Sequence, residues 1–201
     1  MKKNLIAGTL LASMALVGCS KSGGGSGNAS AGGGIDESSS AAATAGHLTG
    51  TAAIGAPLGV ANVMIKGVSG ACAATPLLGK TNSLGVYDID VDNCTAPYFI
   101  KVSSSLGEVS TVATQPGIIA NVTPLTQLIA QRAAGSSDLL SNFSSVNAQK
   151  LSDAQGEIKA VLKDYAVAVG ASASVSEFNG KDLLSGSFAA NGKGIDKLLD
   201  L

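Results

Sequence analysis

Asp88, Asp90, Asp92 and Asn93 form the tightest cluster of metal-type ligands in the chain. D-x-D-x-D opens the calcium loop of an EF-hand, in which oxygens at alternate positions ligate the ion. That loop also needs Gly at its sixth position and Glu at its twelfth. Here those positions hold Asn93 and Phe99. A period of two puts the three carboxylates on one face of a strand, so a solvated face is the expectation and no metal site is assigned. Serines are plentiful, but the sequence contains no G-x-S-x-G elbow and no S-x-x-K pair. A Ser-His-Asp arrangement would have to use His47, the only histidine, which borders a low-complexity stretch unable to hold it in place. No phosphate loop or dinucleotide fingerprint occurs. Arg132 is the only arginine, so bidentate reading of phosphates or bases is not expected.

The remaining reactive side chains are three cysteines, Cys19, Cys72 and Cys94. Cys19 closes a three-part N-terminus. Lys2 and Lys3 are a positive start, and an apolar run follows from Leu5 to Val17. The run is shorter than the roughly 20 residues a transmembrane helix needs, and it has the form of a secretory signal. It ends in Leu16-Val17-Gly18-Cys19, which resembles the lipobox of bacterial lipoproteins. The resemblance implies cleavage between Gly18 and Cys19 and a diacylglyceryl group on the Cys19 thiol, with further acylation of the new amine. One acyl chain holds a protein weakly, whereas two or three give stable anchoring. Ser20 follows the cysteine where an Asp would be the familiar inner-membrane retention signal, so the outer membrane is favoured. The alternative is an ordinary secretory signal with a chance cysteine at its end. The sequon Asn121-Val122-Thr123 is discounted, because the lipobox points to a bacterium.

Lipidation of Cys19 leaves Cys72 and Cys94. An exported chain sits in an oxidising compartment, so a disulfide between them is expected, with two free thiols as the alternative. It would close a loop of about 23 residues and constrain the unfolded chain by roughly 3 kcal/mol. Tetrahedral zinc would need four ligands, which the single distant histidine does not help to complete.

Behind the cysteine, residues 20–46 are Gly, Ser and Ala with almost no apolar bulk. Such a stretch cannot bury enough surface to offset the entropy of ordering, and a disordered linker is expected. As a Gly-rich coil it would span roughly 30 Å, enough to hold a domain clear of lipid head groups. Lys2 and Lys3 fall within the signal, so the mature chain carries 11 basic against 14 acidic residues. No basic field for nucleic acid arises from that balance.

From about residue 47 to 115 the texture is short β-type runs broken by turn residues. Strands are expected at Leu48–Ile54, Asn62–Lys66, Tyr87–Asp92, Tyr98–Val102 and Val109–Ala113, with turns at 55–59 and Asn82–Gly85. The alternation in Tyr87-Asp88-Ile89-Asp90-Val91-Asp92 faces Tyr87, Ile89 and Val91 inward. Several short strands at close spacing suggest an antiparallel sandwich. Gly50-Thr51-Ala52, then Gly55-Ala56-Pro57-Leu58-Gly59-Val60-Ala61-Asn62-Val63, then Thr81-Asn82-Ser83-Leu84-Gly85-Val86-Tyr87, together resemble a carboxypeptidase regulatory-like domain. The resemblance covers about a third of the chain and implies a transthyretin-like sandwich. Val60 stands where that pattern commonly has a second Gly, and Ala52 replaces a larger strand residue. Such domains are accessory modules and not the peptidase, so the resemblance carries little about activity.

Residues 121–201 read as helical. Thr123 is a cap, Pro124 suits a first turn, Leu125, Leu128 and Ile129 make an apolar stripe, and Gly135 ends the helix. Residues 136–143 add a short turn. Ser152-Asp153-Ala154-Gln155 is a capping-box signature, with Ile158, Val161, Leu162, Tyr165 and Val169 on one face and Gly170 as the stop. Ile195–Leu201 is a last amphipathic segment. The run Ala120-Asn121-Val122-Thr123-Pro124-Leu125-Thr126 after the sandwich is similar to a group of uncharacterised proteobacterial lipoproteins.

The expected fold class is α+β: a signal peptide (1–18), Cys19 with a disordered N-terminal linker (19–46), a small antiparallel β-sandwich (47–115) and a helical region (121–201). The expected function is that of a lipid-anchored, non-enzymatic binding or structural module of the cell envelope. Its partners are the membrane, the lipoprotein-processing and sorting machinery, and an unknown envelope or extracellular molecule; no cofactor and no nucleic acid are expected. One alternative is a surface lipoprotein that binds carbohydrate or peptide, with Tyr98 as the obvious aromatic contact. Others are an enzyme with an unfamiliar constellation and a truncated remnant of a longer lipoprotein.

Overall fold

The computed structural model describes residues 41–168 and 181–186. Gly18, Cys19, most of the linker, Val169, Gly170 and the segment 195–201 lie outside the described residues.

Seven strands precede the main helices. They are β1 (His47–Thr51), β2 (Asn62–Gly70), β3 (Leu77–Lys80), β4 (Val86–Asp90), β5 (Cys94–Ser104), β6 (Gly107–Ala113) and β7 (Ile118–Ile119), with a one-turn helix α1 (Ala71–Ala74) between β2 and β3. They form a three-stranded sheet in the order β4-β1-β7 and a four-stranded sheet in the order β3-β2-β5-β6. The four-stranded sheet is antiparallel throughout. In the other sheet β4 runs antiparallel to β1, and the two-residue β7 runs parallel to it. Then follow α2 (Pro124–Ala134), α3 (Leu139–Asn142), a 3-10 turn (Phe143–Ser145) and α4 (Ala148–Ala168). The class is α+β, two sheets followed by helices.

The period of two explains the layering. Val63 and Ile65 on β2, Tyr98, Ile100 and Val102 on β5, and Val109 and Ala113 on β6 join Leu48 and Tyr87 in a core between the sheets. The alternate residues Phe99 and Val112, with Met64 partly buried, point the other way and pack on α2, α3 and α4 in a second core. The described residues are therefore layered sheet, sheet, helix around two cores.

The turns are built as their residues suggest. Asn82 Oδ1 accepts from the N–H groups of Leu84 and Val86 at 3.0 and 2.9 Å, and Gly85 takes φ 79°. A Cβ on Gly85 would lie 2.5 Å from the Ala52 carbonyl oxygen, so glycine is required there twice over. The buried Thr81 hydroxyl donates to Leu58 O at 2.5 Å and accepts from Ala61 N at 2.9 Å, fixing the 57–61 loop. Several elements differ from expectation. β1 stops at Thr51, and Ala52 and Ala53 make only isolated bridges to Val122 and Pro57. β2 and β5 run longer than expected, because each is paired along most of its length with the other. β3, α1 and β7 have no counterpart in the sequence reading. β7 also carries the sheet past residue 115.

α2 begins as expected. Thr123 and Thr126 form a reciprocal capping box, and Gly135 closes the helix in the left-handed conformation at φ 67°. Its buried face is Leu125, Thr126, Ile129, Ala130 and Ala133, and Leu128, placed on the stripe by the sequence reading, is 48% exposed. α4 begins four residues before the expected capping box. Asn147 Oδ1 accepts from Lys150 N at 2.9 Å, so Asn147 is the cap, and Ser152 lies within the helix. This earlier start turns Leu151, Ala154, Ile158 and Leu162 to the second core. Val161 and Tyr165, expected on the apolar face, are 64% and 48% exposed.

Residues 181–186 fasten onto this body. Leu183 is buried in the second core, Leu183 N donates to Gln155 Oε1 at 2.6 Å, and Lys159 Nζ donates to the Lys181 carbonyl.

Candidate functional site

Cys72 and Cys94 form a disulfide, with Cα atoms 5.5 Å apart. Cys72 sits buried in α1 and Cys94 opens β5, where Gly70 of β2 pairs with it. The bridge pins the 71–76 excursion to the sheet.

The aspartates stand as a period of two places them. Asp88 and Asp90 are exposed on the outer face of β4, and Asp92 is exposed just beyond it. His47 Nδ1 lies 2.6 Å from Asp88 Oδ1 across the β1–β4 ladder, a pair the sequence reading did not foresee. Asp90 Oδ1 accepts from Asp92 N at 2.8 Å, which folds the turn after β4. Among the described residues, no three or more His, Cys, Asp or Glu side chains are grouped to hold a metal ion.

Tyr98, the expected aromatic contact, is 1% exposed, and its hydroxyl donates to the Cys94 carbonyl at 3.2 Å. It faces the inter-sheet core and cannot stack on a ligand. Burial raises the Tyr98 pKa, with the Asp92 charge adding to it. Tyr87 is buried too. Its hydroxyl donates to Ala120 O at 2.5 Å, and burial raises its pKa far above the usual tyrosine value, so it stays a protonated donor at neutral pH. On the outer face of the four-stranded sheet, Glu108 pairs with Lys101 at 3.1 Å, and that hydrogen bond, aided by Ser103, lowers its pKa.

A cleft of about 280 Å³ lies between the end of β6 and the start of α4. One wall is the end of β6 and the chain through β7. The other is the first turns of α4 with residues 182–185. Ile118, Leu151 and Leu184 supply apolar surface. Most of the strongly polar groups on the walls are engaged in holding the fold. Asn121 Oδ1 accepts from Thr51 N at 3.1 Å while its Nδ2 donates to Gly186 O at 2.8 Å. Gln155 holds Leu183 N, and Asp182 accepts from Leu184 N at 2.9 Å and from the Ser185 hydroxyl. What remains is a small recess with one carboxylate, Asp182, on its wall, near the low end of the roughly 300–1,000 Å³ of small-molecule sites. The sequence reading passed over Gln155 and Asp182 as contributors and knew Asn121 as part of a helix start and of a discounted sequon. The run Asp182-Leu183-Leu184-Ser185-Gly186 does carry an Asx-turn signal.

No protein-family model, curated protein or solved structure matches the chain. Among the described residues, no helix is long and apolar enough to cross a membrane.

Proposed function

We propose that this chain is a lipoprotein of the bacterial cell envelope, held through a diacylglyceryl group on Cys19, whose exported part binds a partner without transforming it. The observation that carries the anchor is Leu16-Val17-Gly18-Cys19 at the end of an apolar run, with a Gly/Ser/Ala stretch behind it. Ser20 after the cysteine favours the outer membrane. The Cys72–Cys94 bridge fits an oxidising compartment. Binding without catalysis is supported by the cleft, where Asn121, Gln155 and Asp182 are committed to structural hydrogen bonds. The resemblance to a regulatory-like module is supported by the roles of its motif residues: Thr81 fixes the preceding loop, Gly85 needs positive φ, and Tyr87 fills the core.

The test is cell fractionation with labelled palmitate, comparing wild type with Cys19→Ala. Wild type is expected to take the label and sediment with membranes, and the variant to do neither. A wild-type chain that takes no label and fractionates as a soluble periplasmic protein overturns the anchor.

A further inference from the structure

The sandwich is charged differently on its two outer faces. Strand alternation places Asp88 and Asp90 on the outside of the three-stranded sheet. It places Lys66 and Lys101 on the outside of the four-stranded sheet, since their neighbours Ile65, Ile100 and Val102 point into the inter-sheet core, and Lys80 joins them by pairing with Asn62. The helices cover this sheet at Phe99 and Val112. The β3 side is open: Leu78 is 80% exposed and Lys80 is exposed.

The register sets the pattern. Met64 pairs with Leu78 on one side and with Lys101 on the other. Lys80 lies one step before Met64, opposite Asn62, and Lys66 one step after it, opposite Phe99. With strand spacing near 4.8 Å and alternate residues about 6.8 Å apart, the three lysine Cα atoms are roughly 8 to 14 Å from one another. They stand around the exposed Leu78, with Met64 between them turned to the second core. Glu108 is the one carboxylate on the described strand residues of this face, and it pairs with Lys101. No described ion pair engages Lys66 or Lys80.

We infer that this face is a docking surface for an anionic phospholipid bilayer. Lysines around an exposed leucine match a head-group layer, in which ammonium groups meet phosphates and a short apolar side chain enters the boundary. The acidic sheet face then points away from the bilayer. The inference rests on the anchored reading for its setting: a lipid on Cys19 would keep the sandwich beside a bilayer. Its test does not depend on the lipid. Each lysine near an anionic surface contributes about fivefold to partitioning, and salt weakens the effect.

The experiment uses the mature chain, residues 19–201, carrying Cys19→Ala, so that no acyl group contributes. It is sedimented with phosphatidylglycerol/phosphatidylcholine vesicles and with phosphatidylcholine vesicles alone. Binding is expected on the anionic vesicles at low ionic strength, with loss at high salt and little on the neutral ones. Lys66→Gln with Lys80→Gln is expected to lower partitioning about 25-fold. Lys150→Gln with Lys163→Gln, on exposed positions of α4, is expected to change it little. If the double face variant unfolds on a thermal melt, Lys80→Gln alone is read, with about a fivefold loss expected. No binding to anionic vesicles, equal binding to neutral ones, or equal loss in the α4 control each overturns the inference. Acyl labelling of wild type stands apart from all of these results.

Discussion

Val60 is the described non-glycine residue with positive φ, at 55°, and it is 66% exposed. A β-branched side chain is a poor occupant of that region, where a non-glycine residue costs about 1–3 kcal/mol. It gains little packing there to offset the strain. The backbone at Val60 has the shape that glycine permits at no steric cost. Val60→Gly is therefore expected to raise stability by about 1 kcal/mol, after allowing for the greater freedom of glycine in the unfolded chain. The urea midpoint reads this directly, and a lower midpoint in the variant refutes the strain. The tyrosines show where single residues were legible and where not. Tyr87 lies in strict alternation with aspartates, so its inward direction could be read from the sequence. Tyr98 opens the run Tyr98-Phe99-Ile100, buried at all three positions because β5 has a core on each face. An unbroken apolar run does not say which residue points where, and Tyr98 was assigned an exposure it lacks.

Among the elements, the start of α4 is the instructive case. Asn147 and Ser152 are both good caps, five positions apart, and local chemistry alone does not rank them. Burial of Leu151 and Ala154 decides between them, and that depends on contacts distant in sequence. Asn147→Ala is expected to cost about 1 kcal/mol and Ser152→Ala only a few tenths or less. The reverse order in a denaturation series would restore the later start. α2 was legible to the residue, because Thr123, Pro124 and Gly135 are local signals with little competition. β3 was missed because Leu77-Leu78-Gly79-Lys80 has no clear period and becomes a strand by pairing with β2. β7 is too short to leave a pattern and exists through its parallel contact with β1.

For the molecule as a whole, the cysteine pair was the most legible part of the candidate chemistry, since reading Cys19 as a lipid site leaves Cys72 and Cys94 to join. The cleft was not legible at all. It brings Asn121 beside Gly186, and Gln155 beside Leu183, from separate parts of the chain. Replacing both Cys72 and Cys94 with serine is expected to lower stability by roughly 3 kcal/mol, by freeing the unfolded chain. Equilibrium unfolding measures it, and the intact mass of wild type should rise by two hydrogens on reduction. A wild-type mass unchanged by reductant, or a serine pair as stable as wild type, contradicts the role given to the bridge.

β5 belongs to both cores, through Ile100 on one side and Phe99 on the other. A seam drawn near residue 115, where the strands give way to helices, is thus a change of texture and not a place where the protein can be parted. A fragment ending there would carry Phe99 and Val112 bare on its surface, and would lose the β7 edge with them. The smallest piece that can be inherited, grafted or fused intact runs from β1 through residues 181–186, whose Leu183 completes the second core. Recombination that spreads this sandwich must move its helices along with it.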